Sequence, residues 1–434
     1  MDKWNFIALS KICNLEKGKT GLMKAKPGKY FLVTTSKERK TCDTYQFDTK
    51  AVCIPLVSST GHGHASLNYV HYQEGKFALG TILVAVIPKD ETILNAQFLH
   101  LYLSRLKDIV LVPLMTGAAN VTLTVTKLKT VKVPLPPIGE QLKIISLFNR
   151  IDNEQIELTN EITYQQALLK KLRQSILQEA IEGKLTKEWR EANPDVESAS
   201  VLLEKIKQEK EKLVKDKKIK KQKPLPSINE DEIPFDIPDS WEWCRLGDVS
   251  SKIGSGSTPR GSNYSESGIP FFRSQNIHNH GLVYSDVKYI SNETHEKMSG
   301  TKILPEDSLL NITGGSMGRC AYVPKDFSDA NLSQHVCIIR PILLNPIYLH
   351  NLVLSPIFQD MIFSSTTGAG REGLPKNNLE QFLIPIIPLQ EQKEIVKKIQ
   401  NLFKVCDALE IEIQSSKKSS EQLMQAVLKE AFEG

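Results

Sequence analysis

The second half of this 434-residue sequence repeats landmarks of the first, and this duplication strongly limits the folds that the chain can adopt. A shift of 251 positions places Leu379 on Leu128, and the alignment continues from there without a gap. A repeat on this scale predicts one structural unit that is built twice. The aligned segments include Pro134 with Pro385, Glu140-Gln141 with Glu391-Gln392, and residues 179–183 with residues 430–434.

Each copy contains a proline-rich segment, residues 133–137 or 384–388, followed by a long amphipathic repeat. Proline disfavours helix, so these segments predict extended lead-ins. Apolar residues then recur about every 3.5 positions, which is typical of a coiled-coil seam that needs a partner helix. We expect the two helices, each roughly 60 Å long at ~1.5 Å per residue, to pair with each other. The alternative is two unrelated helices packed on separate cores. The predicted seam residues are Ile144, Phe148, Ile151, Leu158, Ile162, Leu169, Leu172, Ile395, Ile399, Leu402, Leu409, Ile413 and Leu423.

The composition indicates a soluble globular protein of two or three domains, because 40% of residues are apolar and 24% are charged. We find no apolar run of membrane-spanning length and no signal-peptide core at the N-terminus. Seven scattered cysteines without a C-x-x-C pair favour reduced thiols and a cytoplasmic location. The formal net charge of +5 allows a nucleic-acid partner but does not require one.

The connector at residues 184–240 has no counterpart in the second copy, and its lysines allow two interpretations. Residues 205–223 contain ten lysines, on a helix that Ser198 is expected to cap and that is expected to run to about Lys221. These lysines either contact phosphates or form a solvated helix face.

The order of these features closely resembles the specificity subunits of type I restriction–modification systems. The residues that carry the resemblance are the two Pro-rich lead-ins with Glu-Gln, the helix end Ala180–Leu185, the connector 220–226, and Trp241-Glu242-Trp243-x-x-Leu246-Gly247-Asp248. The first globular region matches less well, since it offers only Trp4–Ser10 at the corresponding place.

The resemblance implies an α+β fold with internal duplication and pseudo-two-fold symmetry. Two globular target-recognition domains with mixed or antiparallel sheets would be separated by a long antiparallel two-helix coiled coil. The implied segments are a first target-recognition domain (1–133), a lead-in and first spacer helix (134–183), the charged connector (184–240), a second target-recognition domain (241–384), and a second lead-in and spacer helix (385–434).

The resemblance also implies a role and partners. Each domain would read one half of a bipartite, asymmetric site on double-stranded DNA, while the helices set the spacer and dock two methyltransferase (modification) subunits. Restriction subunits with nuclease and translocase activity would join them, and S-adenosylmethionine, ATP and magnesium would bind to those partners. The chain itself would be non-catalytic and without a cofactor or metal.

Polar, glycine-rich stretches are the best candidates for DNA contact, because Arg, Asn and Gln side chains match the hydrogen-bonding edges of bases. An ordinary exposed loop is about as good an interpretation for any single one of these residues. The candidates are Ser59, Thr60, His62, His64 and Asn68 in the first region, and Arg273, Gln275, Asn276, Gly314, Gly315, Ser316, Arg319 and Arg371 in the second.

Several short stretches resemble catalytic or ligand-binding motifs but lack residues that those motifs require. Gly18-Lys19-Thr20 lacks the opening glycine of a phosphate-binding loop, and Asn345-Pro346-Ile347-Tyr348 lacks the companion motif of an adenine methyltransferase. Two His-x-His pairs, at His62 and His278, have no clear third metal ligand nearby in sequence. Two other hypotheses remain: a stand-alone enzyme acting on DNA, and a structural adaptor whose globular halves bind protein.

Overall fold

The computed structural model describes residues 4–60, 63–259, 261, 264–366 and 373–432. The chain forms two compact units, the first made of Met1–Tyr164 with Ile413–Gly434 and the second of Gln165–Glu412. Each unit therefore contains one sheet-rich domain and part of each of two long helices. Among the described residues, no helix is long and apolar enough to cross a membrane.

The first unit contains two four-stranded sheets and a two-stranded ribbon. The first sheet has the order β2-β9-β6-β7 and is antiparallel, and the second has the order β4-β3-β8-β5, in which β3 and β8 are parallel. The strands are β1 (Phe6–Ala8), β2 (Cys13–Lys17), β3 (Tyr30–Val33), β4 (Lys40–Cys42), β5 (Phe47–Asp48), β6 (Ala51–Pro55), β7 (His71–Gln73), β8 (Lys76–Leu79), β9 (Leu83–Pro88) and β10 (Lys132–Pro134). The helices are α1 (Leu9–Ile12), α2 (Ala96–Arg105), α3 (Lys107–Val110), α4 (Val125–Lys129) and the start of α5 (Ile138–Ile181).

Strand β6 is apolar throughout because it lies between two cores. Alternate residues of a strand point to opposite faces of the sheet. Val52 and Ile54 join the core on the helix side, whereas Ala51 and Cys53 face the second sheet. The sheet is therefore the middle layer of the unit.

The second unit repeats this plan with additional elements. Its sheets have the orders β12-β21-β18-β19 and β16-β13-β20-β17, and β13 and β20 are parallel. The strands are β11 (Glu242–Arg245), β12 (Ser250–Ser255), β13 (Ile269–Phe272), β14 (Ile277–His278), β15 (Gly281–Leu282), β16 (Lys288–Ile290), β17 (Lys302–Ile303), β18 (Ser308–Asn311), β19 (Cys320–Tyr322), β20 (Ala330–Leu332), β21 (Val336–Pro341) and β22 (Leu383–Ile386). The helices are α6 (Lys187–Ala192), α7 (Ala199–Lys215), α8 (Asn292–Lys297), α9 (Pro346–Val353), α10 (Pro356–Ser364), α11 (Lys376–Gln381) and α12 (Leu389–Phe432), which also extends into the first unit.

The two sheet plans correspond strand by strand, and each unit has a parallel pair at the same place in its second sheet. The ribbons β1-β10 and β11-β22 also correspond. The predicted α+β fold and internal duplication are therefore confirmed.

The glutamine of the repeated Glu-Gln motif has the same structural role in both units. In the first unit Gln141 is buried at the start of α5, and its Oε1 accepts a hydrogen bond of 2.8 Å from the backbone N–H of Asn95. In the second unit Gln392 accepts a bond of the same length from the N–H of Asn345. Both asparagines cap the following helix through Oδ1, so each glutamine fixes a short helix to a long one.

Helices α5 and α12, each of 44 residues, run antiparallel within each unit. In the first unit Phe148 stacks on Phe432 with ring centroids 5.8 Å apart. In the second unit Arg173 contacts Asp407 at 2.5 Å, and Lys398 donates a hydrogen bond to the carbonyl of Leu185. Residues later in α5 thus contact residues earlier in α12, as expected for the predicted antiparallel pair.

The connector helix α7 is shorter than expected. It ends at Lys215 rather than near Lys221, and Ser198 precedes it without a capping hydrogen bond from its side chain. Lys217, with φ of 59°, adopts the left-handed conformation that ends a helix.

Candidate nucleic-acid interface

In the second unit, two of the predicted polar stretches come together at the ends of β13 and β18. The Nδ2 group of Asn311 donates to the carbonyl of Ser274 at 2.9 Å and to the Oγ of Ser316 at 3.1 Å. Asn311 is fully buried. It therefore holds the loop that follows β18 against the turn that follows β13.

The predicted residues of these two loops differ in what they present to solvent. Gln275, Gly314, Gly315 and Arg319 are exposed, and Ser316 is half-buried. Gly314 has φ of 72°, a conformation that favours glycine. Arg273 is half-buried, and its guanidinium donates to the carbonyl of Asp286 at 2.9 Å. The surface thus presents amide, guanidinium and backbone groups together.

Asn276 corrects the sequence interpretation, because its side chain is not available to DNA in this conformation. It is fully buried, its Oδ1 accepts from the backbone N–H of Arg273, and its Nδ2 donates to the carbonyls of Val283 and Ser285. An amide with all these bonds made inside the protein stabilises the turn and cannot also reach a base.

Three exposed side chains beside these loops were not predicted from the sequence. His335 and Gln334 follow β20, and Thr258 follows β12. The Nδ1 of His335 lies 2.8 Å from the Oγ1 of Thr313, and Thr258 donates to Gln334. The signal was the polar run Ser333-Gln334-His335 between two apolar strands, which is typical of a loop at a sheet edge.

In the first unit, the predicted residues form a hydrogen-bonded loop after β6. The Oγ of Ser58 donates to the carbonyl of His64 at 2.6 Å, and the backbone N–H of Asn68 donates to the Oγ of Ser59 at 2.8 Å. The hydroxyl of Thr60 lies 2.9 Å from that of Ser66. Ser59, Thr60, His64 and Asn68 are exposed on this loop. His62, like Arg371 in the second unit, lies outside the described residues.

Asn68 also lines a polar cleft of about 550 Å³ in the first unit. Tyr69, Tyr72 and His100 are among its lining residues, as are Arg105 and Asp152, which form an ion pair. Burial lowers the pKa of His100, so its imidazole stays neutral near pH 7. The cleft therefore combines aromatic and hydrogen-bonding side chains.

The predicted seam residues are unevenly buried. Ile144, Phe148, Ile162, Leu169, Ile395 and Ile399 are buried, and Ile151, Leu158 and Ile413 are half-buried. Leu172, Leu402 and Leu409 are exposed, and Leu423 is 66% exposed. Two helices cover only one side of each other, so apolar side chains remain on the helix surfaces.

A buried carboxylate ties the connector to the start of α12 in the second unit. Glu391 is 1% exposed and accepts hydrogen bonds from Thr186 Oγ1 at 2.6 Å, Arg190 Nη1 at 2.6 Å and Trp241 Nε1 at 2.8 Å. Arg190 also lies over the Trp241 ring, 5.4 Å from its centroid. Glu391 aligns with Glu140 in the repeat, but the sequence pattern does not predict these three partners.

No group of three or more His, Cys, Asp or Glu side chains that could hold a metal ion occurs within the described ranges. His278 and His280 lie with ring centroids 5.2 Å apart.

All seven cysteines are buried free thiols, and burial raises the pKa of Cys13 to about 12. Such thiols are poor nucleophiles at neutral pH.

Comparison with known proteins identifies the family. The type I restriction modification DNA specificity domain matches residues 1–166 and again residues 238–416. The EcoAI specificity subunit of a type I restriction enzyme from Escherichia coli is 29% identical over 344 residues, which cover 68% of this chain. The chain matches 57% of that relative's length.

Solved structures agree with the fold. A chain of a type I R-M system superposes with a TM-score of 0.62 at 17% identity, covering 99% of this chain and 98% of that one. The HsdS subunit from Thermoanaerobacter tengcongensis gives 0.55 at 17% identity, covering 99% and 97%. With the family domain matched twice and the sheet plan built twice, this chain belongs to the type I restriction modification DNA specificity family.

Proposed function

We propose that this chain is the sequence-specific DNA-recognition subunit of a type I restriction–modification complex. The globular domain of each unit reads one half of a bipartite, asymmetric target on double-stranded DNA. The observation that carries this proposal is one sheet plan built twice with different loops. A shared frame gives both domains the same way of approaching a duplex, while different loop side chains select different bases.

The loop chemistry supports base recognition in the second unit. Gln275 and Arg319 are exposed beside the turn of Gly314 and Gly315, and Gln334 lies on the neighbouring segment. Glutamine pairs well with adenine and arginine with guanine. The loop in the first unit offers hydroxyl groups, His64 and Asn68 instead, so the two half-sites should differ.

The paired helices set the spacer between half-sites and dock the modification subunits. A helix of 44 residues is about 66 Å long at ~1.5 Å per residue, enough to extend over more than one ~34 Å turn of DNA. Ile156, Ile411 and Leu423 are exposed apolar side chains on these helices. Apolar side chains left exposed on these helices are candidates for contact with a partner subunit.

The chain supplies recognition rather than chemistry in this proposal, and it acts in the cytoplasm. S-adenosylmethionine would bind to two modification subunits, and ATP and magnesium to the restriction subunits. The recognition subunit would hold no cofactor of its own.

Methylation mapping of cells that carry the chain with its modification subunits tests the proposal. We expect one methylated motif with two defined halves and an unread spacer, absent when the chain is deleted. Methyl transfer or cleavage by the purified chain alone would favour a stand-alone enzyme. The absence of salt-sensitive DNA binding would favour a structural adaptor.

A further inference from the structure

The first unit carries a strongly basic surface loop. This lysine loop, residues 17–29, contains five lysines and no acidic residue. The lysines are Lys17, Lys19, Lys24, Lys26 and Lys29, and all five are exposed. Within the described part of the chain none of them forms an ion pair, so their charges are available to an outside partner.

The tip of the lysine loop is apolar. Met23 is 99% exposed and Leu22 is 44% exposed. A tight turn presents them, because the backbone N–H groups of Lys24 and Ala25 both donate to the carbonyl of Gly21, at 3.0 and 3.1 Å. The unit gains no burial energy from a side chain as exposed as that of Met23.

The loop is held in place by bonds along its length. The N–H of Gly18 donates to Leu83 and that of Thr20 to Leu79, both at 3.0 Å, while Lys26 accepts from the N–H of Asp43. Gln46 also bridges the loop's start, accepting from the N–H of Lys19 and donating to the carbonyl of Lys17. A fixed loop loses little conformational entropy when it binds.

The fold itself does not require this charge. Gly256 of the second unit occupies the corresponding place after β12, and its N–H donates to Val336 as that of Gly18 donates to Leu83. At both glycines a Cβ would overlap a backbone carbonyl of the neighbouring strand end. Yet residues 256–268 contain one arginine and one glutamate. The basic, Met-tipped loop is therefore particular to the first unit.

We propose that the lysine loop is a sequence-independent DNA anchor, with its lysines on backbone phosphates and the Leu22-Met23 tip inserted into a groove. This inference rests on the proposed function. Lysines supply salt-dependent affinity for a duplex, and apolar wedges of Leu or Met between basic residues are a recurring way to enter a minor groove. The anchor adds affinity at the first half-site without choosing its sequence.

Two variants separate the charged and apolar contributions. The first is Lys19→Gln/Lys24→Gln/Lys26→Gln, matched by Lys11→Gln/Lys129→Gln/Lys132→Gln, three exposed lysines on other elements of the same unit. The second is Met23→Ser, matched by Ile109→Ser at another exposed apolar position. Each is tested in the complex with the modification subunits, by DNA binding across a salt series and by methylation mapping.

We expect the plot of log affinity against log salt concentration to become shallower in the lysine variant, its negative slope losing about 2–3 in magnitude, since each phosphate contact contributes ~0.9. Met23→Ser should weaken binding about tenfold with the slope unchanged, as for loss of one buried methionine. The methylated sequence should be the same in both variants, and the two control variants should bind like wild type.

Two results would overturn the anchor. One is DNA binding by both loop variants that matches the controls. The other is wild-type binding to phosphatidylcholine vesicles with 30% phosphatidylserine that the loop variants lose while DNA binding stays normal, which would assign the loop to a membrane surface. Failure of the proposed function looks different, because the wild-type complex would then methylate no defined motif.

Discussion

Replacing Glu391 with alanine should destabilise the second unit severely. Its carboxylate is 1% exposed and takes three short hydrogen bonds, from Thr186, Arg190 and Trp241. The variant leaves the half-buried guanidinium of Arg190 without its anion, and removing one partner of such a pair costs about 3–5 kcal/mol. For a unit of this size each kcal/mol lowers Tm by about 2–4 °C. The expected fall in Tm is therefore about 6–20 °C.

The internal repeat supplies a matched control for this variant. Glu140 is the aligned glutamate of the first copy, but it is partly exposed and its ion pair is with Lys143 at the surface. Glu140→Ala should therefore cost about 0–1 kcal/mol. Scanning calorimetry of the two variants measures the difference. Equal effects of Glu140→Ala and Glu391→Ala on Tm would refute the reasoning that the buried network fixes the connector.

Three further predictions follow from the contacts. Asn276→Ala should cost about 1–3 kcal/mol in urea unfolding because buried partners lose their bonds, whereas Gln275→Ala should leave stability unchanged and alter the methylated sequence. Adding seven residues after both Asn160 and Ser419 lengthens the helix pair by about 10.5 Å, so mapping should show a spacer longer by up to about three base pairs with unchanged half-sites. Burial lowers the pKa of His350 to about 4, so as the pH falls the unfolded chain binds a proton before the folded chain does. The free energy of unfolding should therefore decrease between about pH 6.5 and 4, by up to about 1.4 kcal/mol per pH unit. His350→Gln should make the urea midpoint depend less on pH in this range.

The sequence predicted the long helices and the duplicated domains because both depend on patterns that recur. Apolar residues at a 3.5-residue spacing follow the geometry of the helix itself. The paired Glu-Gln motif marked equivalent positions, and Gln141 and Gln392 make the same bond in each unit. The different environments of Glu140 and Glu391 could not be predicted, since they depend on a connector that only one copy has.

Individual site residues were harder to predict because a polar pattern does not tell which side chain points outward. Asn276 lies in a stretch that is typical of a base-reading loop, but its amide bonds to two carbonyls inside the turn. Gln334 and His335 were missed because their sequence neighbours are buried strands. The lysine loop could not be predicted from a pattern, because it has no similarly basic counterpart in the second copy and Gly18-Lys19-Thr20 resembles only the end of a phosphate-binding motif.

Exchange of one domain tests the central claim most directly. Residues 250–370 are replaced by the corresponding region of a relative that recognises a different target, and the methylated motif of the complex is mapped. The account predicts that one half-site changes while the other half-site stays as in wild type. A motif that changes in both halves, or in neither, would contradict the assignment of one half-site to each domain.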